Sequence, residues 1–582
     1  MMLRRATTPR PQALGRMGLL VLIVLGGTLI RFAGLGNESI WLDEVTSILI
    51  ARMDLRSAVA WTAADIHPPL YYLALHFWLG FGESEFAVRA LSAMLGVWTI
   101  VIGYALARQL FDTQVGLLSA LLLALSPMHI WYSQEARMYP MVTALSLLSS
   151  YLLVMALRDS AGPRAGRRAA LRSPQARYWL GYLLFSVLAL YTHYYALFVL
   201  LFQNIFMLFW LWRHRAGSST GPAHPANPAG RRSGLWRRWL STELGIALLF
   251  LPWVPVVYRQ VSGGGGSWVE RAIGRPAPRA LLDTWLQFST GLERHLYPDA
   301  LRRIAYVLFA VCILAAMTNL FSWPRRRLAS LQSRIRGSAP IPPHQDASAA
   351  SRQLSGEIAT ASGSFLDEAV AETRDGVPAD AYRTGLWFCV LYVVVPLLAA
   401  WLLSQIKPMY SERYLLPFVP PYCILVAYGL KALKWHWLRW AVVLCLTLTL
   451  LLGNWNAWRV EQREDWRWAS SYVLARAQPG DVVLFLPRWL AKPFDYYARG
   501  RLALSMDLPV PVTMQATQDV ATDTAQRFKR AWLVWQRGHY SDPDGLVKRV
   551  LDSRFKLVEE APFPEVGSLV LYDLEATGKG PN

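Results

Sequence analysis

Two adjacent carboxylates stand just after the first long apolar stretch of the chain, in the segment Trp-Leu-Asp-Glu that contains Asp43 and Glu44. Acids are common in a first helical turn because they offset the helix dipole. The functional alternative is a general base that takes a proton from an attacking hydroxyl. Adjacent helical residues point about 100° apart, so at most one of these carboxylates should face a shared cleft. One base suffices for a one-step inverting displacement, whereas a retaining hydrolase uses two opposed carboxylates. We predict both Asp43 and Glu44 as catalytic residues, with Asp43 as the general base.

Cationic side chains that could bind an anionic group occur at two later places. A polar segment between two apolar stretches contains Glu135, Arg137 and Tyr139, and a second segment contains Lys407 and Arg413. An Arg fork holds a phosphate through two parallel hydrogen bonds, which the point charge of Lys cannot provide. The structural alternatives are that Arg137 pairs with Glu135 or extends toward the membrane interface, and that the second pair anchors the interface. We predict all five as substrate-binding residues.

A histidine stands in the segment Asp65-Ile66-His67-Pro68-Pro69-Leu70. Its structural interpretation is a helix start, with Asp65 as the capping residue and the prolines in a first turn that needs no backbone N–H. That role leaves His67 able to line a site, so we predict it as a further substrate-binding residue. Two adjacent acids and one distant histidine do not make a convincing set of metal ligands. We assign no cofactor from the sequence, and a divalent metal beside Asp43 and Glu44 stays open.

The composition indicates where this chemistry takes place. Of 582 residues, 54% are hydrophobic and 17% are charged, and 26 are Trp, which is too apolar for a soluble multidomain protein of this length. The formal net charge of +20 does not indicate nucleic-acid binding, because Arg and Lys are concentrated in short loops between apolar runs. The 4 cysteines show no C-x-x-C spacing, so neither a disulfide framework nor a zinc site is predicted.

Apolar stretches near the roughly 20 residues that cross the hydrocarbon core predict about eleven transmembrane helices. The first follows an Arg-rich N-terminus and is predicted to remain uncleaved, because it is long and no clear small-residue cleavage site follows it. A further stretch, 68–81, is short enough to be re-entrant or interfacial. The predicted spans are 17–35, 87–107, 114–132, 139–157, 178–193, 195–212, 239–258, 301–322, 385–404, 414–431 and 439–455.

Loops rich in Arg and Lys predict the orientation of these spans. Four of them, beginning near residues 158, 213, 325 and 431, fall on the side of the N-terminus, which the positive-inside rule makes cytoplasmic. The third continues as residues 323–384, whose Ser-, Ala-, Pro- and acid-rich composition predicts a disordered cytoplasmic linker. The external face is then predicted to hold residues 36–66, 129–138, 259–300 and 456–582.

The composition changes after the last predicted span. Residues 465–477 have a helical pattern, 481–486 and 531–535 are typical of buried strands, and 555–573 indicate a terminal hairpin. The sequence therefore predicts an α-helical polytopic membrane protein with a transmembrane domain over residues 1–458. A small extracytoplasmic α/β domain is predicted over residues 459–582.

Four short motifs resemble those of bacterial glycosyltransferase family 39. These proteins form the protein O-mannosyltransferase, aminoarabinose-transferase and lipopolysaccharide-core galacturonosyltransferase-like group, which has the GT-C fold. The likeness covers about residues 15 to 430, and its specificity comes from the order of the motifs. They are Trp-Leu-Asp-Glu, His-Pro-Pro-Leu-Tyr-Tyr, Ser-Gln-Glu-Ala-Arg-Met-Tyr and Glu-Arg-Tyr-Leu-Leu-Pro.

The resemblance implies a plasma-membrane glycosyltransferase with a polyprenyl-phosphate sugar donor and an inverting single displacement. Asp43 matches the catalytic aspartate of the first external loop, Glu44 its acidic neighbour, and Arg137 a cationic residue that faces the donor phosphate. The C-terminal domain is not the β-trefoil of eukaryotic O-mannosyltransferases, so the extracytoplasmic acceptor stays open between lipid, glycan and protein.

Two other functions remain as alternatives. A lipid or solute transporter usually carries mid-membrane charges or inverted repeats, and neither is evident in the sequence. A noncatalytic scaffold for cell-envelope polysaccharide assembly would tolerate the loss of Asp43 and Arg137. The expected partners are therefore the donor lipid, an acceptor and the bilayer, with no nucleic acid.

Overall fold

The computed structural model shows a helical bundle followed by a small mixed β-sheet. It describes residues 11–158, 174–213, 228–262, 274–291, 297–321, 379–459, 464–505, 508, 512–535, 542–563 and 567–577. Most of the predicted linker and parts of two Arg-rich loops lie outside these residues. The linker prediction extended too far at its C-terminal end, because residues 379–384 already belong to a helix.

The bundle consists of seventeen described helices, and three short 3-10 turns, Leu79–Phe81, Leu251–Trp253 and Glu412–Phe418, connect some of them. Helices α1 to α8 are Pro11–Phe32, Leu42–Ala51, Leu55–Ala64, Leu70–Trp78, Glu85–Leu110, Thr113–Leu125, Pro127–Ser133 and Tyr139–Arg158. Helices α9 to α17 are Pro174–Thr192, Ala196–Arg213, Pro228–Phe250, Val254–Ser262, Arg279–Thr290, Asp299–Phe321, Ala379–Ser404, Val419–Ala432 and His436–Arg459.

Nine helical stretches in the described part of the chain are long and apolar enough to cross a membrane. The pair α6–α7 would add a tenth, but it bends by 59°, whereas the sequence predicted one continuous span over 114–132. Helix α9 corresponds to the predicted span 178–193 and is not among the nine. The stretch 68–81 forms only the short helix α4 and a 3-10 turn, as its length predicted.

Contacts at one end of the bundle pair the ends of helices that are distant in the sequence. We call this the Asp112 end. Here Lys431 of α16 contacts Asp112 at the start of α6, and Arg158 of α8 donates to Gln109 of α5 at 2.8 Å. Arg238 of α11 likewise contacts Gln175 at the start of α9, and Arg383 of α15 donates to the Leu320 carbonyl of α14.

The other end, which we call the Asp43 end, is held together in the same way. Tyr195, before α10, donates to the carbonyl of Met409, after α15. Gln260 of α12 donates to the carbonyl of Thr62 in α3. The two ends lie at opposite ends of α15, because Arg383 near its start contacts α14 at the Asp112 end and Met409 after its last residue contacts Tyr195 at the Asp43 end.

The C-terminal sheet has five strands: β1 (Asp481–Leu486), β2 (Ala503–Ser505), β3 (Arg530–Trp535), β4 (Phe555–Phe563) and β5 (Gly567–Thr577). Their order is β2-β1-β3-β5-β4; β1 pairs in parallel with β2 and β3, and β5 pairs antiparallel with β3 and β4. Helices α18 (Trp466–Arg476), α19 (Ala491–Ala498), α20 (Met514–Arg527) and α21 (Leu546–Arg554) accompany the sheet. The predicted helix, strands and terminal hairpin are all present.

Each face of this sheet buries its own apolar core, because alternate side chains of a strand point to opposite faces. Val483 and Phe485 pack with α18 and α19, whereas Val482 and Leu484 pack with α20 and α21. The predicted fold class, a helical membrane protein with a small C-terminal α/β domain, is confirmed.

The sheet domain docks directly on the Asp43 end of the bundle. Ser39 donates to the Glu464 carbonyl at 2.6 Å, and the Ile40 backbone N–H donates to the Tyr497 hydroxyl at 2.7 Å. Arg467 pairs with Glu85 at 2.8 Å. The sheet domain therefore lies at the same end of the bundle as the connection between α1 and α2.

Candidate active site

The site is built on the short helix α2, which follows the first span. Trp41 is extended and precedes the helix without a side-chain cap, so Asp43 and Glu44 occupy the first turn. Negative charge is favourable at that position because the first backbone N–H groups of a helix are unpaired. The local sequence thus explains why the two acids stand here, and their different roles depend on what each side chain contacts.

Glu44 is completely buried in a bidentate ion pair with Arg89 of α5. Arg89 Nε donates to Glu44 Oε1 at 2.8 Å and Nη2 donates to Oε2 at 2.7 Å. The Ala136 backbone N–H also donates to Oε1, at 2.8 Å. Arg89 additionally donates to the carbonyls of Leu35 and Ser39. The pair therefore ties α2 to α5, to the chain before α2 and to the loop between α7 and α8.

Asp43 lies in a different environment, on a half-buried surface at the Asp43 end. Arg413 Nη1 donates to Asp43 Oδ2 at 2.8 Å, and Arg137 Nη2 lies 3.9 Å from the same oxygen. The side chain of Asp43 is 27% exposed and that of Arg413 is 39% exposed. These contacts bring together three residues that the sequence places far apart, each of them predicted as a site residue.

Arg137 is held on the inner side of this cluster. Its Nη1 donates to the Asp43 carbonyl and to Ser47 Oγ, both at 3.2 Å. Its Cζ lies 5.7 Å from the centre of the Tyr139 ring, at cation–π distance. The guanidinium is buried but its Nε finds no hydrogen-bond partner among the described residues. One donor of the fork is thus available to an anionic ligand.

Aromatic and imidazole rings form the wall behind the two arginines. His67 lies 5.4 Å from His193 and 6.2 Å from Tyr414, measured between ring centres. Tyr139 lies 6.1 Å from Tyr414, and Tyr195 lies 5.3 Å from it. His67 and Tyr139, both predicted from the sequence, therefore belong to one buried cluster beside Arg137. Flat apolar rings with polar edges suit a ligand that presents both C–H and hydroxyl groups.

The hydrogen bond of His193 indicates where its proton lies. The backbone N–H of Tyr195 donates to His193 Nδ1 at 3.2 Å, so Nδ1 acts as an acceptor. Burial, with a further contribution from the charge of Arg137, lowers the pKa of His193 to about 3. The neutral ring therefore carries its proton on Nε2. Nε2 and the Tyr139 hydroxyl are buried without partners among the described residues, so both can donate to a ligand.

Asp65 supplies a second carboxylate near the site, which differs from its predicted role as a helix cap. Helix α3 ends at Ala64 and α4 begins at Leu70 after Pro69, so Asp65 stands at the end of α3. Burial raises the pKa of Asp65, and the negative charge of Asp43 adds to the rise. Burial likewise lowers the pKa of His67 well below its usual value, and Arg137 adds to this effect.

Two predicted substrate-binding residues contact other partners. Trp131 Nε1 donates to Glu135 Oε1 at 3.0 Å, and the backbone carbonyl of Glu135 accepts from the Arg137 N–H at 2.8 Å. Lys407 Nζ donates to the Val261 carbonyl at 2.9 Å. Among the described residues, neither contacts Asp43. Glu135 therefore shapes the turn that carries Arg137, and Lys407 joins the ends of α12 and α15.

In the ranges that the structure describes, no three or more His, Cys, Asp and Glu side chains cluster closely enough to hold a metal ion. The carboxylate of Glu44 is committed to Arg89 and the Ala136 N–H.

Sequence reasoning missed four residues of the site: Arg89, His193, Tyr414 and Asp65. The available signal for Arg89 was a charge inside a predicted apolar span, which is expensive unless it is paired. The signal for His193 was a single histidine at the end of the predicted span 178–193, which is weak evidence for a site by itself. Tyr414 follows Arg413 directly in the Glu-Arg-Tyr motif. The motif therefore indicated Arg413 as a site residue but gave no separate signal for Tyr414.

Comparison with known protein families gives a match over part of the chain. The family model described as dolichyl-phosphate-mannose-protein mannosyltransferase matches residues 66–221. The match includes His67, Glu135, Arg137 and Tyr139, and it begins after Asp43. No curated protein sequence matches the chain.

Solved structures of two proteins align with nearly the whole chain, and the first of them has a similar fold. The oligosaccharyltransferase of Archaeoglobus fulgidus, in complex with zinc and sulfate, aligns with 96% of this chain and 73% of its own, at 11% identity and a TM-score of 0.51. ArnT from Cupriavidus metallidurans, bound to undecaprenyl phosphate, aligns with 97% of this chain and 100% of its own, at 14% identity and a TM-score of 0.46. The GT-C fold and the resemblance to family 39 predicted from the sequence are confirmed.

Proposed function

We propose that the chain, which has the GT-C fold and resembles family 39, is a membrane glycosyltransferase that transfers a sugar from a polyprenyl-phosphate donor to an extracytoplasmic acceptor. The transfer is an inverting single displacement at the Asp43 end of the bundle. The acceptor is a hydroxyl of a lipid, a glycan or a protein. The family match and the structural neighbours, which include a complex with undecaprenyl phosphate, support the class of donor.

One observation carries this proposal. Asp43 is a partly exposed carboxylate whose neighbours are two arginines, one of them buried, from separate parts of the chain. A carboxylate suits proton abstraction, and guanidinium groups suit the phosphate that leaves, so the cluster contains both halves of the reaction. A second carboxyl group acting as general acid is not needed, because the leaving group is a phosphate, which departs as a stable anion without taking up a proton.

In the proposed step, Asp43 takes the proton from the acceptor hydroxyl as its oxygen attacks the anomeric carbon. The bond between that carbon and the phosphate oxygen breaks, and its electron pair leaves with the polyprenyl phosphate. Both arginines of the described site approach Oδ2 of Asp43, so Oδ1 is the oxygen that receives the proton. General-base assistance of this kind contributes roughly 10²- to 10⁴-fold in rate.

Arg137 and Arg413 stabilise the departing phosphate in this proposal. Arg137 is already fixed by Ser47 and the Asp43 carbonyl, so it costs little reorganisation when negative charge develops. Arg413 is the more exposed of the two and can donate to the phosphate as well as to Asp43. The neutral Nε2–H of His193 and the Tyr139 hydroxyl bind oxygen atoms of the sugar, and His67 lines the same pocket.

Glu44 has a positioning role in this proposal rather than the catalytic role expected from its sequence. Both of its oxygens accept from Arg89, and Oε1 also accepts from the Ala136 N–H. It therefore holds the first turn of α2 against the loop that carries Arg137. Glu135 and Lys407 support the same loop region and the neighbouring helix ends, and do not bind substrate.

We propose that the Asp43 end faces the outside of the plasma membrane. The described cations Arg158, Arg213, Lys431 and Arg439 lie at or near the opposite end, where the positive-inside rule places the cytoplasm. The sheet domain of residues 459–582 is then extracytoplasmic and borders the site, where an acceptor arrives.

The test is a transfer assay with purified protein and radiolabelled polyprenyl-phosphate sugars, run in parallel with the Asp43→Asn variant. Consumption of one donor by the parent and roughly 10²-fold slower consumption by the variant would support the proposal. A variant as fast as the parent would indicate that Asp43 is not the base. A parent that consumes none of the donors would favour the transporter or scaffold alternatives.

A further inference from the structure

A fully buried arginine lies at the end of the first span, outside the group of residues assigned to the reaction. Arg31 is the penultimate residue of α1. Its guanidinium donates to the carbonyls of Leu123 at 2.9 Å and of Ala124 at 3.0 Å. It also donates to the Gly27 carbonyl at 3.0 Å and lies 2.9 Å from His129 Nδ1. Four acceptors thus surround a charge that the membrane environment would otherwise penalise.

These acceptors belong to the break between α6 and α7. Pro127 opens α7 and has no backbone N–H, so the last carbonyls of α6 have no intrahelical donor. Such carbonyls are tolerated at membrane depth only where neighbouring side chains satisfy them. Arg31 satisfies Leu123 and Ala124, and Asn454 of α17 satisfies Leu125 at 3.0 Å. The bend of 59° is therefore stabilised from two sides.

The contact is reciprocal, because the segment after α7 caps α1 in return. The Gln134 side-chain amide donates to the carbonyls of Ile30 and Arg31 at 3.3 Å and of Ala33 at 3.2 Å. The end of α1 and the break in α6–α7 therefore each supply the hydrogen-bonding groups that the other lacks. Neither segment can shift alone without leaving backbone carbonyls unpaired.

Small residues make the close approach possible. A Cβ added at Gly96 of α5 would lie 2.2 Å from Ser133 Oγ and 3.1 Å from Arg31 Nε. A Cβ added at Gly27 would lie 2.6 Å from Ile100 Cδ1 and 3.2 Å from Ala124 Cβ. Helices α1, α5 and α7 thus pack tightly around the guanidinium, which limits its movement.

Each of the two joined segments leads directly to half of the candidate site. The chain continues from α1 through a short connection to Asp43, and from Gln134 through the next turn to Arg137. We propose that Arg31 is a positioning residue for the reaction, which fixes the loop that carries Asp43 relative to the loop that carries Arg137. This inference rests on the proposed function for its kinetic test, and on geometry alone for its structural test.

The experiment compares Arg31→Met with Asn454→Leu in the full-length protein. Both variants remove a donor to the α6 break, but only Arg31 connects that break to the Asp43 loop. We expect Arg31→Met to lower kcat by about 10²-fold, the cost of misplacing reacting groups by roughly 1 Å. Asn454→Leu should lower the midpoint of thermal unfolding while its folded fraction keeps the parental kcat. Arg31→Lys, which retains the charge, should recover part of the activity.

A second measurement does not depend on catalysis. Hydrogen–deuterium exchange in Arg31→Met should increase both in residues 33–44 and in residues 127–138, whereas Asn454→Leu should increase exchange only in the second segment. Equal kcat in Arg31→Met and the parent, or equal losses of kcat in the two variants, would overturn the positioning role. If the parent transfers no sugar, the proposed function fails, and the exchange pattern still decides whether Arg31 couples the two loops.

Discussion

Asp43 and Glu44 are adjacent in the first turn of α2, and their carboxylates have opposite surroundings. Glu44 is completely buried, with both oxygens bound by Arg89 and a backbone N–H, whereas Asp43 is partly exposed between Arg413 and Arg137. One pair is closed and internally satisfied. The other has oxygen and nitrogen atoms that can still meet a ligand.

One helical turn can therefore supply both a structural ion pair and a reactive carboxylate. The angle of about 100° between successive side chains turns Glu44 toward α5 and Asp43 toward the end of the bundle. A fully desolvated pair costs much to break but does not exchange partners readily. A partly solvated pair can exchange its partner for a substrate, and such exchange is what proton abstraction and phosphate binding require.

Asp43→Asn should have the largest effect on turnover. The change keeps size and hydrogen bonding but removes the proton acceptor, so turnover should fall by roughly 10²-fold or more. Stability should change by no more than about 1 kcal/mol, because Asn is also tolerated at a helix start. Transfer rates and thermal unfolding of the purified variant measure both quantities. Near-normal turnover would reduce Asp43 to a residue that offsets the helix dipole.

The matched change on the other carboxylate, Glu44→Gln, should act on folding instead. It leaves the charge of Arg89 buried without its partner, which typically costs about 3–5 kcal/mol. The amount of folded protein in the membrane and its thermal midpoint should therefore fall. The folded fraction should lose less turnover than Asp43→Asn does.

A double variant tests whether this loss comes from the unpaired charge. Replacing both partners, as Glu44→Leu with Arg89→Met, removes the charge together with its counter-ion, and such replacements are often close to neutral. We expect the double variant to be more stable than Glu44→Gln. Equal stability of the two would mean that the hydrogen bonds to the Ala136 N–H and to the carbonyls of Leu35 and Ser39 matter more than the charge pair.

Arg137→Lys changes the cluster in which Asp43 lies beside Arg413 and Arg137. Lys replaces a planar fork with a point charge, so the contacts to Ser47 and to a phosphate cannot both be kept. We expect the donor affinity to fall by roughly tenfold, which corresponds to about 1.4 kcal/mol. Titration of the protein with polyprenyl phosphate measures it, and Lys407→Arg, outside the cluster, is the control. Unchanged affinity in Arg137→Lys would leave that residue as an anchor for Asp43 alone.

Orientation of the membrane domain can be checked with single cysteines and an impermeant reagent. Asn37 is exposed at the Asp43 end and His436 is exposed near the opposite end, whereas three of the four native cysteines are buried. In intact cells, a cysteine at Asn37 should be labelled and one at His436 protected. The reverse pattern would place the site in the cytoplasm and contradict the proposed donor and acceptor side.

Much of the fold was predictable because membrane helices and buried strands have strong periodic and compositional signals. The strand Asp481–Leu486 was predicted with its observed bounds, since a run of buried apolar residues between turn signals has few alternatives. The bend at Pro127 was missed. Its signal, a proline after a serine, becomes decisive only when distant donors such as Arg31 and Asn454 satisfy the freed carbonyls.

The members of the site were partly predictable and their roles less so. Motif spacing indicated Asp43, Arg137 and Arg413, because polar residues between apolar spans have few places to lie. The sequence could not show that Glu44 binds Arg89, a residue inside a predicted span, or that Lys407 contacts Val261 instead of Asp43. Those outcomes depend on how distant helices pack, and no local pattern encodes them.

The remaining prediction concerns His193, whose neutral ring lies against His67 and Tyr414 in the wall behind the two arginines. Burial lowers its folded-state pKa to about 3 from a usual value of 6.5, so between these pH values the unfolded chain binds more protons than the folded one. Stability is therefore complete above pH 6.5 and falls as the pH decreases toward 3, by about 1.4 kcal/mol per pH unit. His193→Gln keeps a donor near the position of Nε2 but cannot titrate. Relative to its own stability at pH 7, the His193→Gln variant should be about 2 kcal/mol less destabilised than the parent at pH 5.

The control is His193→Asn, which lacks a hydrogen-bond donor at the position of Nε2. It should show the same gain in acid tolerance together with weaker binding of the polyprenyl-phosphate sugar. Equal acid sensitivity in the parent and His193→Gln would mean that the His193 ring is not held neutral. The site would then contain one more positive charge than the geometry assigns to it.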